Sequence, residues 1–255
     1  MPSAQLQSSR LDTLRGFVAE QVQPLTVLHA ELARRWTPHF DVSQARERIA
    51  ANRVAYEPAR VIASVGSLLV PYTRAVAALE RAGLATAAEA MQARDRRAHT
   101  PQLLAGWLSG EPAPRERVRG VCRRAVVLVA SSVLRRASAE LLPGEVLDGW
   151  EGRVCPCCGG PAEFRVSCAR GRTLICSRCD VAWGTATSGC LGCGSTQPPT
   201  VTFIDSPALG YRLAVCHPCG RYLKEPTEPG VIEPMVERAL TSQLDAAAEA
   251  RGLRF

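Results

Sequence analysis

Eight cysteines carry the clearest chemistry in this sequence. They fall as four Cys-x-x-Cys pairs: Cys155/Cys158, Cys176/Cys179, Cys190/Cys193 and Cys216/Cys219. A tetrahedral metal ion takes four soft ligands at about 2.3 Å, and two cysteines three positions apart on a tight turn reach one ion without strain. Two such turns brought side by side complete the tetrahedron. Gly159, Gly194 and Gly220 follow three of the pairs, at a position that calls for positive φ, where glycine is cheap. Asp180 follows the fourth, and Asp tolerates that conformation better than most side chains. Sequence order groups the ligands as Cys155, Cys158, Cys176 and Cys179 for a first site and Cys190, Cys193, Cys216 and Cys219 for a second. An interleaved grouping satisfies the same chemistry. Two ions, iron or zinc, are implied, and four thiolates suit either. With all four ligands from protein, no coordination position stays open for a hydrolytic water, so such sites are structural or electron-carrying.

The remaining candidates are weaker. Cys157 lies inside the first knuckle, Cys168 on the hairpin that follows, and Cys122 in an apolar stretch that reads as core. His217 sits within the last pair, where thiol-redox motifs also place a histidine, but three sibling pairs favour metal ligation. His29, His39 and His99 lack an evident carboxylate or cysteine partner. No Ser/His/Asp set, phosphate loop or paired-carboxylate motif stands out, and no catalytic residue is assigned; the chain does not read as an enzyme.

The elements that must hold the cysteines repeat. Phe164–Ser167 and Thr173–Ile175 flank a turn at Arg170-Gly171; Val201–Ile204 and Tyr211–Val215 flank Asp205–Gly210 in the same way. Each block is thus a cysteine pair, a hairpin and a second pair. A helix is expected from Pro234 to about Ala250. Residues 1–150 read as helical, with helices near 10–35, 43–55, 58–81, 86–97, 101–109 and 114–140. In the last, Val118, Val121, Cys122, Ala125, Val129 and Val133 recur at helical spacing and form one apolar face. Pro114 suits its first turn and Pro143-Gly144 its end. Thr86 with Glu89 spells a capping box, while Pro24 and Pro71 should kink or split the helices that contain them. The fold class is α+β: a helical domain over 1–150, then tandem rubredoxin-like or zinc-ribbon modules with a C-terminal helix over 151–255.

Composition limits the function classes. Eleven cysteines, an odd number, in a chain with no apolar leader segment argue for metal rather than a disulfide framework. The apolar runs Val61–Val70 and Ala125–Leu134 fall short of the ~20 residues of a membrane span, so the protein reads as cytoplasmic with no membrane partner. The net charge of +7 is uneven: residues 1–150 carry 20 arginines against 14 acidic residues, and residues 151–255 carry 11 basic against 10 acidic. Each filled four-thiolate site adds −2, which weakens the nucleic-acid reading that a basic chain invites. Ribbon-type nucleic-acid binding needs basic and aromatic residues on the tips; Arg170, Arg172, Arg178 and Arg221 with Phe164 and Tyr211 are a thin set.

The residues around the pairs narrow the reading. Cys155-Pro-Cys-Cys-Gly-Gly-Pro161, Leu174-Ile-Cys-Ser-Arg-Cys179, Trp183, Cys190-Leu-Gly-Cys-Gly194 and Cys216-His-Pro-Cys-Gly-Arg-Tyr-Leu-Lys224 occur in that order. Together they resemble the FdhE family of formate dehydrogenase accessory proteins, with a looser likeness through Leu244-Asp245-Ala246 to Gly252. The resemblance implies a cytoplasmic, non-enzymatic, chaperone-like helper that binds the catalytic subunit of formate dehydrogenase and supports its maturation, with the eight paired cysteines as metal ligands. The stretch Gly184-Thr-Ala-Thr-Ser-Gly189 lacks the basic residue that the family pattern carries before the third pair. The alternatives are a zinc-ribbon nucleic-acid binder and a rubredoxin-like redox protein.

Overall fold

The structure is a computed structural model that describes residues 4–111, 116–142, 147, 149–168, 171–185, 189–196, 200–230 and 232–254. Pro114, the Pro143-Gly144 helix end, Arg170 and residues 186–188, like the side chain of Cys168, lie outside the described set. The chain divides into two compact units. One comprises residues 21–50 and 54–143; the other comprises 1–20, 51–53 and 144–255.

The first unit is all helix: the later part of α1 (Ala4–Arg35), then α2 (Val42–Ala50), α3 (Pro58–Ser64), α4 (Leu69–Arg81), α5 (Ala87–Asp95), α6 (Thr100–Ser109) and α7 (Arg117–Leu141). The expected stripe on α7 is buried at all six positions, and Val126, Leu134 and Ala137 join it. Helices α2 to α6 pack around α7, which buries most of its circumference. The Tyr56 hydroxyl sits 2.8 Å from Ser138 Oγ, and the Tyr72 hydroxyl donates to the Ala93 carbonyl at 2.8 Å. The capping box forms: Glu89 N–H donates to Thr86 Oγ1, and Thr86 N–H donates to the Glu89 carboxylate.

The prolines behave differently from expectation. Helix α1 runs unbroken through Pro24; Val22, Leu25, Leu28 and Leu32 around it are buried, so packing holds the segment where one backbone bond is lost. The expected helix over 58–81 is split, but not by Pro71. The break falls at residues 65–68, where Gly66 has φ +80°, and α3 and α4 bend by 100° across it. Pro71 lies in the first turn of α4, where a missing N–H costs nothing. Among the described residues, no single helix is long and apolar enough to cross a membrane; α3 and α4 pass that test only together, as a bent pair.

The second unit is built on a six-stranded sheet of order β3-β2-β1-β6-β5-β4. The strands are β1 (Ala162–Cys168), β2 (Gly171–Cys176), β3 (Ala182–Gly184), β4 (Val201–Ser206), β5 (Tyr211–Cys216) and β6 (Tyr222–Pro226). The hairpins β1–β2 and β4–β5 are the two expected from sequence. Each gains a third strand, β3 or β6, behind its second cysteine pair. The two three-stranded blocks join where β1 lies parallel to β6, at Phe164 and Lys224. The expected C-terminal helix is two short ones, α8 (Pro234–Leu240) and α9 (Ser242–Ala250), hinged at Thr241. Leu213, Val215, Tyr222 and Ala248 form a core under α9. The early turns of α1 belong to this unit as well: Leu11 fills the space over Gly210, and Arg15 Nε donates to Glu237 at 2.9 Å.

Candidate metal centres

Register puts the cysteines where two turns meet. β2 ends on Cys176 and β5 on Cys216, each one opposite the start of its hairpin partner, Ala162 or Val201. The pair that precedes each hairpin therefore returns beside the pair that follows it. All four knuckles close alike, because the first cysteine donates its N–H to the carbonyl five residues on: Cys155 to Gly160, Cys176 to Val181, Cys190 to Ser195, Cys216 to Arg221. The residue after each second cysteine is left-handed in every case, with φ of +66° at Gly159, +56° at Asp180, +77° at Gly194 and +67° at Gly220. Asp180 adds a contact glycine cannot make, accepting from Arg238 Nη2 at 2.6 Å.

The grouping is sequential. Cys155, Cys158, Cys176 and Cys179 form one cluster and Cys190, Cys193, Cys216 and Cys219 the other, with the sulfurs of each within 4.8 Å of one another. The Sγ–Sγ distances are 3.5 Å for Cys155–Cys179 and Cys158–Cys176, 3.6 Å for Cys190–Cys219 and 3.7 Å for Cys193–Cys216. A regular tetrahedron with metal–sulfur bonds of about 2.3 Å has edges of about 3.8 Å, so both donor sets fit one four-coordinate ion each. Backbone N–H groups already point at the sulfurs, Arg178 to Cys176 at 3.3 Å and Gly192 to Cys190 at 3.2 Å.

The two clusters differ in exposure. All four cysteines of the first are buried; in the second Cys193 is exposed and Cys219 half-buried. Burial pushes the Cys155 thiol well above its ordinary range, with neighbouring thiols adding to the effect. Burial acts the same way on Cys179, but hydrogen bonds from Cys155, Cys158 and Cys176 outweigh it and bring that thiol well down. In the outer cluster Cys190 comes down to about 7, since N–H donors of its own knuckle and the thiols of Cys216 and Cys219 overcome its burial. Burial pushes Cys216 up to about 12.

The other sequence candidates stay outside the clusters. Cys157 is buried beside the first cluster without joining it, and Cys122 is a core residue. His217 Nε2 meets Thr202 Oγ1 at 3.0 Å. His29 is buried in the helical unit; His39 and His99 are exposed.

A charged network missed at the sequence level braces the first cluster. Lys224, the lone lysine of the chain, is 0% exposed. Its Nζ donates to Glu163 Oε1 at 2.8 Å, Asp245 Oδ2 at 2.9 Å and Thr241 Oγ1 at 3.1 Å. Glu163 also accepts from Arg238 Nε at 2.6 Å, and Arg238 Nη2 reaches the Cys176 carbonyl. Tyr222 donates to Asp245 Oδ1 at 2.8 Å. The Tyr222-Leu-Lys224 and Leu244-Asp245 stretches quoted from sequence are therefore two halves of one buried contact. The signal available was a single lysine among thirty arginines.

Fold and site define a class: a helical unit coupled to a tandem ribbon with two closed four-cysteine clusters. Comparison with known proteins points one way within it. The crystal structure of the FdhE protein from Pseudomonas aeruginosa is similar over 97% of this chain and 91% of that one, with a TM-score of 0.59 and 19% identity. A protein named FdhE homolog from Stutzerimonas stutzeri (strain A1501) is 32% identical over 77 residues, which span 28% of this chain and 25% of that relative's length. No protein-family model matches the chain. The chain has the fold of that FdhE protein, and part of it is similar in sequence to the Stutzerimonas relative.

Proposed function

We propose that this chain is a cytoplasmic accessory protein that binds the catalytic subunit of a formate dehydrogenase and supports its maturation. What supports this is a fold shared with an FdhE protein along nearly the whole chain, together with FdhE-like sequence. Cys155, Cys158, Cys176 and Cys179 would hold one ion, and Cys190, Cys193, Cys216 and Cys219 the other. Bound there, zinc would staple the hairpins, while iron would add one-electron chemistry. The chain's own residues pre-form each cradle: the knuckle hydrogen bonds fix the sulfurs, and the Lys224–Glu163–Arg238 network fixes the Cys176 knuckle against α8. With every ligand position filled by cysteine, the role is binding and presentation rather than catalysis, and neither a membrane nor nucleic acid is required as partner.

The test is retention of a purified formate dehydrogenase catalytic subunit by the tagged, metal-loaded chain. The expected result is capture that withstands about 0.5 M salt, where the screening length is about 4 Å. No capture of that subunit, with salt-sensitive capture of DNA instead, would reverse the reading in favour of a nucleic-acid ribbon.

A further inference from the structure

Two arginines beside the outer cluster stand apart from the others around the sheet. Around the sheet, arginines are matched to carboxylates: Arg165 and Arg212 to Glu225, Arg238 to Glu163 and Asp180, Arg15 to Glu237. Arg153 and Arg221 are not; neither has a carboxylate within 4.0 Å nor a side-chain hydrogen bond among the described residues. Both line a cavity of about 120 Å³ whose wall includes Cys190 and Cys216. Both also lie hard against the outer knuckle Cys190–Gly194. A Cβ on Gly192 would stand 2.2 Å from Arg221 Cδ and 3.0 Å from its Nε; one on Gly194 would stand 2.4 Å from Arg153 Nη1. Two glycines leave the room these two side chains occupy.

We propose that Arg153 and Arg221 are positioning residues that supply the countercharge of the outer four-cysteine site. The proposal rests on the ligand assignment above. Four thiolates around a divalent ion carry −2, and two guanidiniums bring that to zero. Cys193 makes the outer site the one open to water, so a chelator and an alkylating reagent read changes there directly. Arg165, which also lines the cavity, is paired with Glu225, a carboxylate it shares with Arg212. At the inner site Arg178 packs its Cδ over Gly160 in a similar way.

The experiment uses the full chain loaded with zinc. Zinc per chain is measured first, then a chelator is added and alkylation of each cysteine is followed by mass spectrometry. The expected result is that R153Q/R221Q raises the labelling rate of Cys190, Cys193, Cys216 and Cys219 by about tenfold, the usual effect of removing support around metal ligands. Labelling of Cys155, Cys158, Cys176 and Cys179 stays unchanged, R153K/R221K stays near the parent, and added salt speeds the parent toward the glutamine variant. Fewer than two zinc ions per parent chain would overturn the ligand assignment and the countercharge with it. Two ions with unchanged outer-site rates, equal acceleration at both sites, or a lysine variant as fast as the glutamine one would overturn the countercharge alone.

Discussion

Lys224→Met removes the cation at the centre of the buried network and keeps its length. In the parent, Nζ is fully enclosed and serves two carboxylates, Glu163 at 4% side-chain exposure and Asp245 at 20%. Taking away one partner of a buried ion pair costs about 3–5 kcal/mol, because the other charge is stranded. Two features place this variant near the low end. Glu163 keeps Arg238 at 2.6 Å, and Asp245 keeps the Tyr222 hydroxyl. Burial also holds the Asp245 carboxyl above its ordinary value even with Lys224 opposing that shift, so in the variant Asp245 escapes part of the cost by taking a proton. A loss of about 3 kcal/mol is roughly a hundredfold in the opening equilibrium. Native-state hydrogen exchange resolves it: peptides covering β5 and β6 should lose about two orders of magnitude of protection, while peptides from α7 serve as an internal standard. Asp245→Asn in the same background should return part of the loss. Unchanged protection on β6, or a double variant weaker than the single one by the full cost of Asp245→Asn in the parent, would refute the reasoning.

Four shorter expectations follow. Glu163→Gln should flatten the acid side of the stability profile: burial raises the Glu163 carboxyl, the charges of Arg238 and Lys224 more than offset this, and the folded value ends below 4.5. Its contribution is thus present above pH 4.5 and lost as pH falls through the folded value, so urea midpoints of parent and variant should converge at the acid end. Zinc binding at pH 7 should release nearly a full proton from Cys216, which sits near 12, and about half of one from Cys190, which sits near 7; calorimetry in two buffers of different ionisation enthalpy, on the parent and on C190S and C216S, reads these contributions. Gly220→Ala should cost about 1–2 kcal/mol from φ +67° alone, because the new methyl meets nothing nearer than 3.8 Å, read as a urea midpoint. Cys176→Ser should halve the zinc content of the chain, and a variant that keeps two ions would remove Cys176 from the ligand set.

What was legible in the sequence was local. The cysteine pairs, the hairpins between them and the left-handed residue behind each pair follow from spacing, including the substitution of Asp180 for glycine. The α7 stripe and the Thr86 capping box follow from period and hydrogen-bond chemistry of neighbouring residues. What stayed hidden depends on distance along the chain. β3 is three residues long and β6 reads Tyr-Leu-Lys-Glu-Pro, a composition that becomes a strand only because β2 and β5 offer free edges. Lys224 finds Glu163 across 61 positions, which no local pattern reveals. Arg221 stands out in the sequence as a basic residue beside the last cysteine pair, but its packing over Gly192, and that of Arg153 over Gly194, depends on contacts distant along the chain. Pro24 shows the converse: a strong local signal for disruption is overruled by the buried residues on either side.

The helix α1 is shared out between the two compact units, and this sets an order of events during synthesis. Residues 21–50 and 54–143, which make up the helical unit, are all synthesised before the first cysteine pair. Leu11 and Arg15 emerge earlier still, yet the turn at Gly210 and the carboxylate of Glu237 that receive them arrive about two hundred residues later. The first turns of α1 therefore have no native partner until most of the chain has been made. The ribbon unit, with the two cysteine cradles, is thus completed only after the helical unit's residues are all made.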